Sequence, residues 1–596
     1  MIKINRTFDI VDALLEEYRK KEDVLAVKRN GQWEKFNTEE YARYTNLFSY
    51  GLLALGFKKQ DTIITVSNNR PEWNFMDMGM TQVGVVHVPV YPTIGDDDYR
   101  HILKHSDAKI VIVSSQEYYE KIKPLADETP NVDKVYTLDE VKGAPNWNEI
   151  LELGKKNEEK FKDELVKIKE SIKPDEMMSI IYTSGTTGTP KGAMLSHRNF
   201  IANVEASANI LPINDTHRFL SFLPLCHVFE RMVNYLWQYK GASVYYAESF
   251  ETIGENLREI KPHGFATVPR VIEKLFDKIL LKGKELTGIK KSLFFWAVNL
   301  GLRYELNRAN GWWYEFQLKL ANKLIFNKWR EALGGNIFVI VSGGAALQPR
   351  LARVFTAAGM PIQEGYGLTE TSPVIAVNYA KYPLLKFGTV GPILDNIEVK
   401  IAEDGEILMR GPSLMLGYYK DPERTAEAID KEGWFHTGDI GEIHEHNILK
   451  ITDRKKEIFK LSTGKYVAPQ VVENKFKESQ FIEQIMVVGA GEKYAAAIIS
   501  PSFEFLHGWS FKNKIKFREN TDLIKHPKVL ERYQKEIDKL NKGLGRHEQI
   551  KKFALTPDEW TTDTGELSPT LKLKRKIVKE KYRKEFDSLY GYDQNN

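Results

Sequence analysis

The chain has 596 residues, 42% of them hydrophobic and 11% aromatic, enough for several packed cores, which excludes a disordered or collagen-like polymer. Its 85 Lys and Arg stand against 81 Asp and Glu, a formal net charge of +4, so nothing global points to a nucleic-acid partner. A single cysteine, Cys226, excludes an internal disulfide and a cysteine zinc cluster and suits a reducing compartment.

The opening segment MIKINRTFDIVDALLEEY lacks the apolar stretch of a signal peptide, and no apolar run reaches the roughly 18 residues of a membrane span. A cytoplasmic protein is expected, with the cytoplasmic membrane face as a further possible location. Residues 8 to 60 read as helices joined by short loops, because FDIVDALLEEY and EYARYTNLFSYGLLALG carry apolar residues at helical spacing. TIITVS (62–67), VVHVPVYPT (85–93) and AKIVIVSS (108–115) read as β-branched strands alternating with helices. The charged stretch 116–175 reads as a surface helix plus a connection.

MMSIIY (177–182) reads as a buried strand. SVYYA (243–247), HGFATV (263–268) and NIFVIVSGG (336–344) read as strands of a second α/β unit. Between them, 270–335 forms a long helical insertion with 13 Lys or Arg against 6 Asp or Glu and the aromatic pieces LFFWAVNLG and GWWYEFQLKL. From about 387, short strands and glycine turns read as a β-rich lobe. A Lys-rich α+β stretch follows DRKKEIFK (453–460). The expected fold is α/β: a large N-terminal domain (1–454) of two α/β subdomains plus a β-barrel-like lobe, then a small α+β C-terminal domain (455–596).

The chemistry is densest after the strand at 177–182. In Tyr182-Thr-Ser-Gly-Thr-Thr-Gly-Thr-Pro-Lys-Gly192, glycines let the backbone approach an anion. Thr183, Ser184, Thr186 and Thr187 add hydroxyl donors around Gly185 and Gly188, and Lys191 adds a positive charge. This is the composition of a polyphosphate cradle; a Gly/Thr surface turn is the plain alternative. It is not a Walker A loop, because Pro190 precedes the lysine and Gly192 follows it.

The loop resembles the phosphate loop of the adenylate-forming enzymes, the superfamily of acyl-CoA synthetases, luciferases and peptide-synthetase adenylation domains. Further segments resemble that family in order: Ser342-Gly-Gly-Ala-Ala-Leu347, Gln363-Glu-Gly-Tyr-Gly-Leu-Thr-Glu-Thr371, Thr437-Gly-Asp439, Asp453-Arg-Lys-Lys456 and Leu567-Ser-Pro-Thr-Leu-Lys-Leu-Lys-Arg575. The resemblance implies ATP, Mg²⁺ and coenzyme A as cofactor and substrates, and roles for particular residues. Gly343, Gly344 and Ala345 would border acyl group and nucleotide, and Gln363, Glu364, Gly365, Tyr366 and Gly367 the adenine, with the Tyr366 ring stacking on it. Thr369 would bond the α-phosphate, and Glu370 would hold Mg²⁺. Asp439 would bind the ribose hydroxyls, with Arg454 beside it. His227, in Leu223-Pro-Leu-Cys-His-Val-Phe-Glu230, would line the acyl side; a packed core histidine is the alternative.

By the same resemblance the C-terminal domain is mobile and turns about Lys456. Lys572 would bridge carboxylate and α-phosphate in adenylation, with Lys574 as the alternative, and Gly464 would face the CoA thiol in the second step. The family usually carries Gly-Lys where this chain has Leu571-Lys572, a departure shared with long-chain fatty acyl members. The implied function is a long-chain fatty acid–CoA ligase. A fatty acyl-AMP ligase serving a carrier protein, a ligase for another acid class and a non-catalytic acyl-lipid binder are the alternatives. Expected partners are fatty acid, ATP and CoA, with no nucleic acid. The basic, aromatic insertion either packs on its own domain or meets an anionic membrane surface.

Overall fold

Apolar β-branched runs become buried strands of two sheets. The computed structural model describes residues 3–183, 189–379, 383–568 and 571–592. The chain divides into two units: one gathers Met1–Val399, Leu408–His436 and Glu445–Ile448, the other Lys400–Ile407, Thr437–His444 and Leu449–Asn596.

In the first unit a seven-stranded sheet has the order Gly417–Tyr418, Lys191–Ser196, Met177–Thr183, Val86–Val90, Thr62–Val66, Ala108–Val113, Lys134–Thr137. The last five strands run parallel, and the first two pair antiparallel. Thr62–Val66 and Val86–Val90 are buried throughout, as a sheet covered on both faces requires. Ile64, Val88, Val111 and Ile180 pack there against Tyr99 and Leu103 of the helix Asp96–His105.

The eight-stranded sheet has the order Val374–Val377, Ile362–Gly367, Val339–Ser342, Gly264–Thr267, Arg218–Ser221, Ser243–Tyr246, Leu25–Arg29, Gln32–Phe36. Its interior is parallel and its two edge pairs are antiparallel. The two expected α/β subdomains are thus present.

Two elements depart from the sequence reading. The helical segment expected up to residue 60 is interrupted by the hairpin Leu25–Arg29/Gln32–Phe36, whose turn residues Asn30 and Gly31 have φ of 51° and 76°. Asn-Gly between two short strands is a hairpin signal that the helical periodicity on either side obscures. The charged stretch 116–175 also contains the strand Lys134–Thr137 between the helices Gln116–Asp127 and Asn148–Ser171.

The insertion is helical, as expected: Pro269–Glu285, Gly288–Leu302, Gly311–Ala321 and Asn327–Ala332 account for most of it. The β-rich lobe is a five-stranded sheet, order Gly391–Pro392, Ile448–Arg454, Phe435–His444, Glu406–Arg410, Glu398–Ile401. Its two outer strands do not pair with each other, so it is an open sheet and not a barrel. The second unit carries a three-stranded sheet, Ile482–Val488, Ala496–Pro501 and Lys552–Leu555. Val472, Phe476, Leu506 and Tyr533 cover one face, and Trp560, Val578 and Tyr582 cover the other, giving the α+β arrangement.

Candidate active site

The strands flanking the Gly/Thr segment pair antiparallel: Thr183 stands opposite Lys191, and Tyr182 opposite Gly192. Ser184, Gly185, Thr186, Thr187 and Gly188 lie outside the described residues. Both ends of the loop are held by one helix, Asp96–His105. His105 Nδ1 is 2.8 Å from the Tyr182 hydroxyl, and His101 Nε2 donates to the Pro190 carbonyl at 3.0 Å. Burial, then His101 and Lys420, lowers the His105 pKa below the ordinary imidazole value.

Lys191 leaves the loop toward Glu370. Its Nζ is 3.4 Å from Glu370 Oε1 and also bonds the Tyr418 hydroxyl. That hydroxyl donates to Glu370 Oε1 at 2.7 Å. Burial and the adjacent Glu370 carboxylate push the Tyr418 pKa up, so the phenol keeps its proton. Glu370 sits on the short 3₁₀ turn Thr369–Thr371, 7% exposed. Sequence reasoning missed Tyr418: it is 227 residues from Lys191 and 48 from Glu370, and no local spacing links the three. Thr369 neighbours Glu370 on the turn and is half-buried.

The strand Ile362–Gly367 brings Gln363, Glu364, Gly365, Tyr366 and Gly367 to this end of the sheet. Tyr366 is half-buried, opposite Ala376 on the return strand. Gly367 has no room for a side chain, since a Cβ there would lie 1.7 Å from the Pro373 carbonyl oxygen. Glu364 turns inward. It accepts from the Leu347 backbone N–H at 2.8 Å, tying the Ser342–Leu347 loop to the strand, and burial pushes its carboxyl up to about 8. Gly344 and Ala345 of that loop are exposed, while Gly343 is buried against the Phe229 ring.

His227 caps the helix Val228–Tyr239, its Nδ1 accepting from Phe229 N–H at 3.2 Å. The helix is anchored by Arg231, fully buried, which bonds Asp77, Tyr235 and Ser179. Asp77 also accepts from Tyr235 and pairs with His87. Glu230 accepts from Ser221 Oγ at 2.5 Å, and burial pushes its carboxyl up to about 8. Cys226 is buried, and its thiol pKa is raised by that burial.

In the second unit Arg454 Nε donates to Asp439 Oδ1 at 3.1 Å, and Asp439 is 4% exposed. Thr437 Oγ accepts from the Asp439 backbone N–H at 3.1 Å. Lys456 lies exposed in the turn Arg454–Ile458, closed by the Glu457 N–H to Arg454 C=O bond of 2.9 Å. Gly464 turns the hairpin Phe459–Lys460/Tyr466–Val467 at φ +83°, and the space that a Cβ would take there is open, with nothing within 4 Å.

Lys572 is exposed, and its carbonyl accepts from the Ser568 N–H at 2.8 Å, while Leu567 pairs with Leu573. Leu571 has φ +58°, a left-handed conformation that glycine adopts without strain. Pro569 and Thr570 lie outside the described residues. Arg575 ties the segment to the turn after Arg454, bonding Glu457 at 3.0 Å and Glu473 at 2.7 and 2.8 Å.

The donor set suits magnesium with a triphosphate. Among the described residues no group of three or more metal-ligating side chains assembles, and Glu370 is the one carboxylate at the Lys191 cluster. Mg²⁺ is commonly held by one or two carboxylates, with phosphate and water supplying the other oxygens.

Residues 14–419 match the AMP-binding enzyme family, and 456–594 match the AMP-binding enzyme C-terminal domain. A curated relative, the long-chain-fatty-acid–CoA ligase FadD15 of Mycobacterium bovis, is 32% identical over 98% of this chain and 97% of that one. The human long-chain-fatty-acid–CoA ligase 1 is 31% identical over 95% of this chain and 83% of its own. Among solved structures, the adenylation domain of a carboxylate reductase from Mycobacterium chelonae superposes with a TM-score of 0.75 at 22% identity, covering 98% of this chain and 91% of that one. The chain belongs to the AMP-binding enzyme family.

Proposed function

We propose that the protein is an AMP-forming long-chain fatty acid–CoA ligase using ATP, Mg²⁺ and CoA. The observation that carries this reading is the Lys191–Tyr418–Glu370 cluster at the foot of the Gly/Thr loop, in a chain whose full-length relatives are named long-chain-fatty-acid–CoA ligases. A fatty acid carboxylate is already a nucleophile at neutral pH, so the first step needs no general base. One carboxylate oxygen attacks the α-phosphorus, a P–O bond forms, and the bond to pyrophosphate breaks. Lys191 offsets charge on the departing phosphates, and Lys572 lies between the two anions as they meet. Glu370 would hold Mg²⁺, which when bound neutralises phosphate charge. Asp439 accepts from the ribose hydroxyls and Arg454 fixes its carboxylate. Tyr366 stacks on the adenine, and His227 and Gly343 line the acyl side.

In the second step the CoA thiol loses its proton, sulfur bonds the acyl carbon, and the bond to AMP breaks. The C-terminal domain, 455–596, turns about Lys456 to withdraw Lys572 and bring Gly464 toward the thiol. The separate family matches at 14–419 and 456–594 support that division, and the Arg454–Ile458 turn, with Lys455 and Lys456 exposed, suits a hinge. Long-chain acids partition into membranes, so a ligase that works at an anionic membrane face meets them concentrated.

Mass-resolved product formation with a panel of acids of varied chain length, with and without CoA, tests the assignment. Acyl-CoA and AMP from long-chain acids are expected. Adenylate that accumulates and never passes to CoA would assign a carrier-protein ligase, and absence of ATP–pyrophosphate exchange would leave only a binder.

A further inference from the structure

The helix Gly311–Ala321 and its continuation through Asn322–Phe326 carry two apolar faces. One packs inward through Tyr314, Leu318, Ala321 and Phe326, all buried. The other faces solvent: Trp312 is 79% exposed, Trp313 and Phe316 56% each, and Leu320 and Leu324 about two-fifths. Trp313, Phe316, Leu320 and Leu324 recur at i, i+3, i+7 and i+11, so they form one stripe along the helix. Trp313 and Phe316 stack, with ring centroids 5.5 Å apart, and Trp312 meets Trp313 edge-on. The rings therefore shield each other and still present their outer surfaces to water.

Charge around the stripe is one-sided. Across 270–335 eleven Lys or Arg are exposed, among them Lys319, Lys323 and Lys328, against two exposed carboxylates, Glu285 and Glu331. The neighbouring helix Gly288–Leu302, joined by the Tyr314 hydroxyl to the Leu300 carbonyl at 2.7 Å, adds exposed Ile289 and Leu293 beside Lys290 and Lys291. A soluble monomer rarely leaves so many large rings together in water. A second copy of the chain would set this cationic surface against itself, which disfavours self-association. No helix among the described residues is long and apolar enough to cross a membrane, so any lipid contact is in the plane of the surface.

We propose that the Trp312–Leu324 stripe docks on an anionic lipid membrane. The indole and phenyl rings enter the headgroup–acyl boundary, where tryptophan is favoured, and the flanking lysines meet lipid phosphates. This does not rest on the ligase reading, because vesicle binding is measured without substrate.

The test is co-sedimentation of the full chain with phosphatidylcholine vesicles containing about 30% phosphatidylglycerol, and with pure phosphatidylcholine. The wild type is expected to bind the anionic vesicles and to be released by high salt. A Trp312→Ser, Trp313→Ser, Phe316→Ser variant alters only exposed rings, and an unchanged circular dichroism melt shows that it folds. Its partition coefficient should fall by at least about tenfold. Lys319→Glu with Lys323→Glu should weaken binding to the anionic vesicles and leave the weaker binding to neutral ones unchanged. The proposal is overturned if the wild type ignores anionic vesicles, or if the ring variant binds as well as the wild type. It is also overturned if the ring variant instead dissolves a dimer of the chain, which would make the stripe an interface between copies.

Discussion

The Tyr418 hydroxyl donates to Glu370 Oε1 at 2.7 Å and at the same time meets the Lys191 ammonium. A phenol with its pKa pushed up by burial and by that carboxylate stays protonated, so it remains a fixed donor across the working pH range. It fixes the direction of the Glu370 carboxylate, the group proposed to hold Mg²⁺. Tyr418→Phe removes the donor and leaves a buried carboxylate oxygen less well satisfied, a cost of about 1–3 kcal/mol. The expected result is an ATP–pyrophosphate exchange rate lowered about tenfold, with a raised Mg²⁺ requirement. Glu370→Gln should raise the Mg²⁺ requirement further. A normal magnesium titration for both variants would take the pair out of the metal's surroundings.

His101 and His105 hold the two ends of the Gly/Thr loop from a single helix. His105→Phe keeps the ring but loses the bond to Tyr182, while His105→Asn can still offer a polar atom near Nδ1. The phenylalanine variant should raise the KM for ATP by about three- to tenfold, roughly the value of one hydrogen bond, with the asparagine variant closer to wild type. The fatty acid KM should not move. If both KM values rise together, the histidines serve general packing and not the loop. The lowered His105 pKa also gives a sign. Its contribution to stability is full above the ordinary imidazole value near 6.5 and is lost as pH falls through the lower folded value.

Glu230 shows the opposite sign. Ser221 donates to Oε1, while Oε2 is buried without a hydrogen-bond partner among the described residues, and burial pushes the carboxyl up to about 8. A raised folded pKa means stability is full below the unfolded value near 4.5 and falls as pH rises toward about 8. Glu230→Gln is neutral at every pH and keeps an acceptor for Ser221. Its melting temperature should therefore exceed that of the wild type increasingly between pH 5 and 8, with the gap largest at the alkaline end. Parallel curves for the two proteins would show that Glu230 is ionised in the folded chain. The residue sits three positions after His227 on the same helix start, so the alkaline loss should appear with a rise in fatty acid KM.

Much of this was legible from the chain alone, and the rest fails for a physical reason. The strands at 62–66, 86–90 and 108–113 announce themselves because parallel strands covered on both faces need unbroken β-branched runs. Lys191 is picked out by the Gly/Thr composition of its loop, and Glu370 by the resemblance of its segment to the adenylate-forming family. Tyr418 was not, since its role comes from pairing Gly417–Tyr418 with Ala193 and Met194, a contact that no local spacing encodes. The hairpin at 25–36 was lost for a related reason: Leu25–Val27 pairs with Val244–Tyr246, more than two hundred residues away, and that distant partner completes its burial. The β-rich lobe is legible as strands, but closure into a barrel depends on whether the outer strands meet, which strand composition does not determine.

Leu571 occupies a left-handed position, φ +58°, immediately before Lys572. A left-handed backbone costs a branched side chain about 1–2 kcal/mol, and the greater unfolded freedom of glycine offsets about 0.4–1 kcal/mol of the relief. Leu571→Gly should therefore raise the stability of the C-terminal unit slightly, by about 0.5–1 kcal/mol, read as a shift in a denaturant midpoint. Since Leu571 is 37% exposed, little buried surface is lost with it. A destabilised variant would mean that the leucine side chain packs against something that holds the segment.

The same segment bears on which lysine would act in the proposed first step. Lys572 stands exposed, with its backbone fixed by Ser568. The Lys574 N–H bonds the Glu566 carbonyl, and Lys574 caps the helix Arg575–Lys581. The Lys574 backbone is thus engaged at the helix start and its side chain is half-buried, whereas the Lys572 side chain is exposed. Lys572→Ala should lower adenylation by about 10²–10³-fold, the loss of one preorganised charge at a transition state where two anions meet. The thioester step involves no such meeting of anions, so presynthesised acyl-adenylate plus CoA should give thioester at close to the wild-type rate. Lys574→Ala keeps that backbone bond and should leave both half-reactions within a few-fold. The measurement is the pair of half-reaction rates for each variant, with Arg575→Ala as a third case. Arg575 anchors the segment to Glu457 and Glu473. Its loss should slow adenylation less than loss of Lys572 and should be partly restored by Arg575→Lys. If Lys574→Ala carries the adenylation defect and Lys572→Ala does not, the assignment passes to Lys574. If Lys572→Ala slows both half-reactions equally, the lysine acts on the fold of the domain and not on the first transition state.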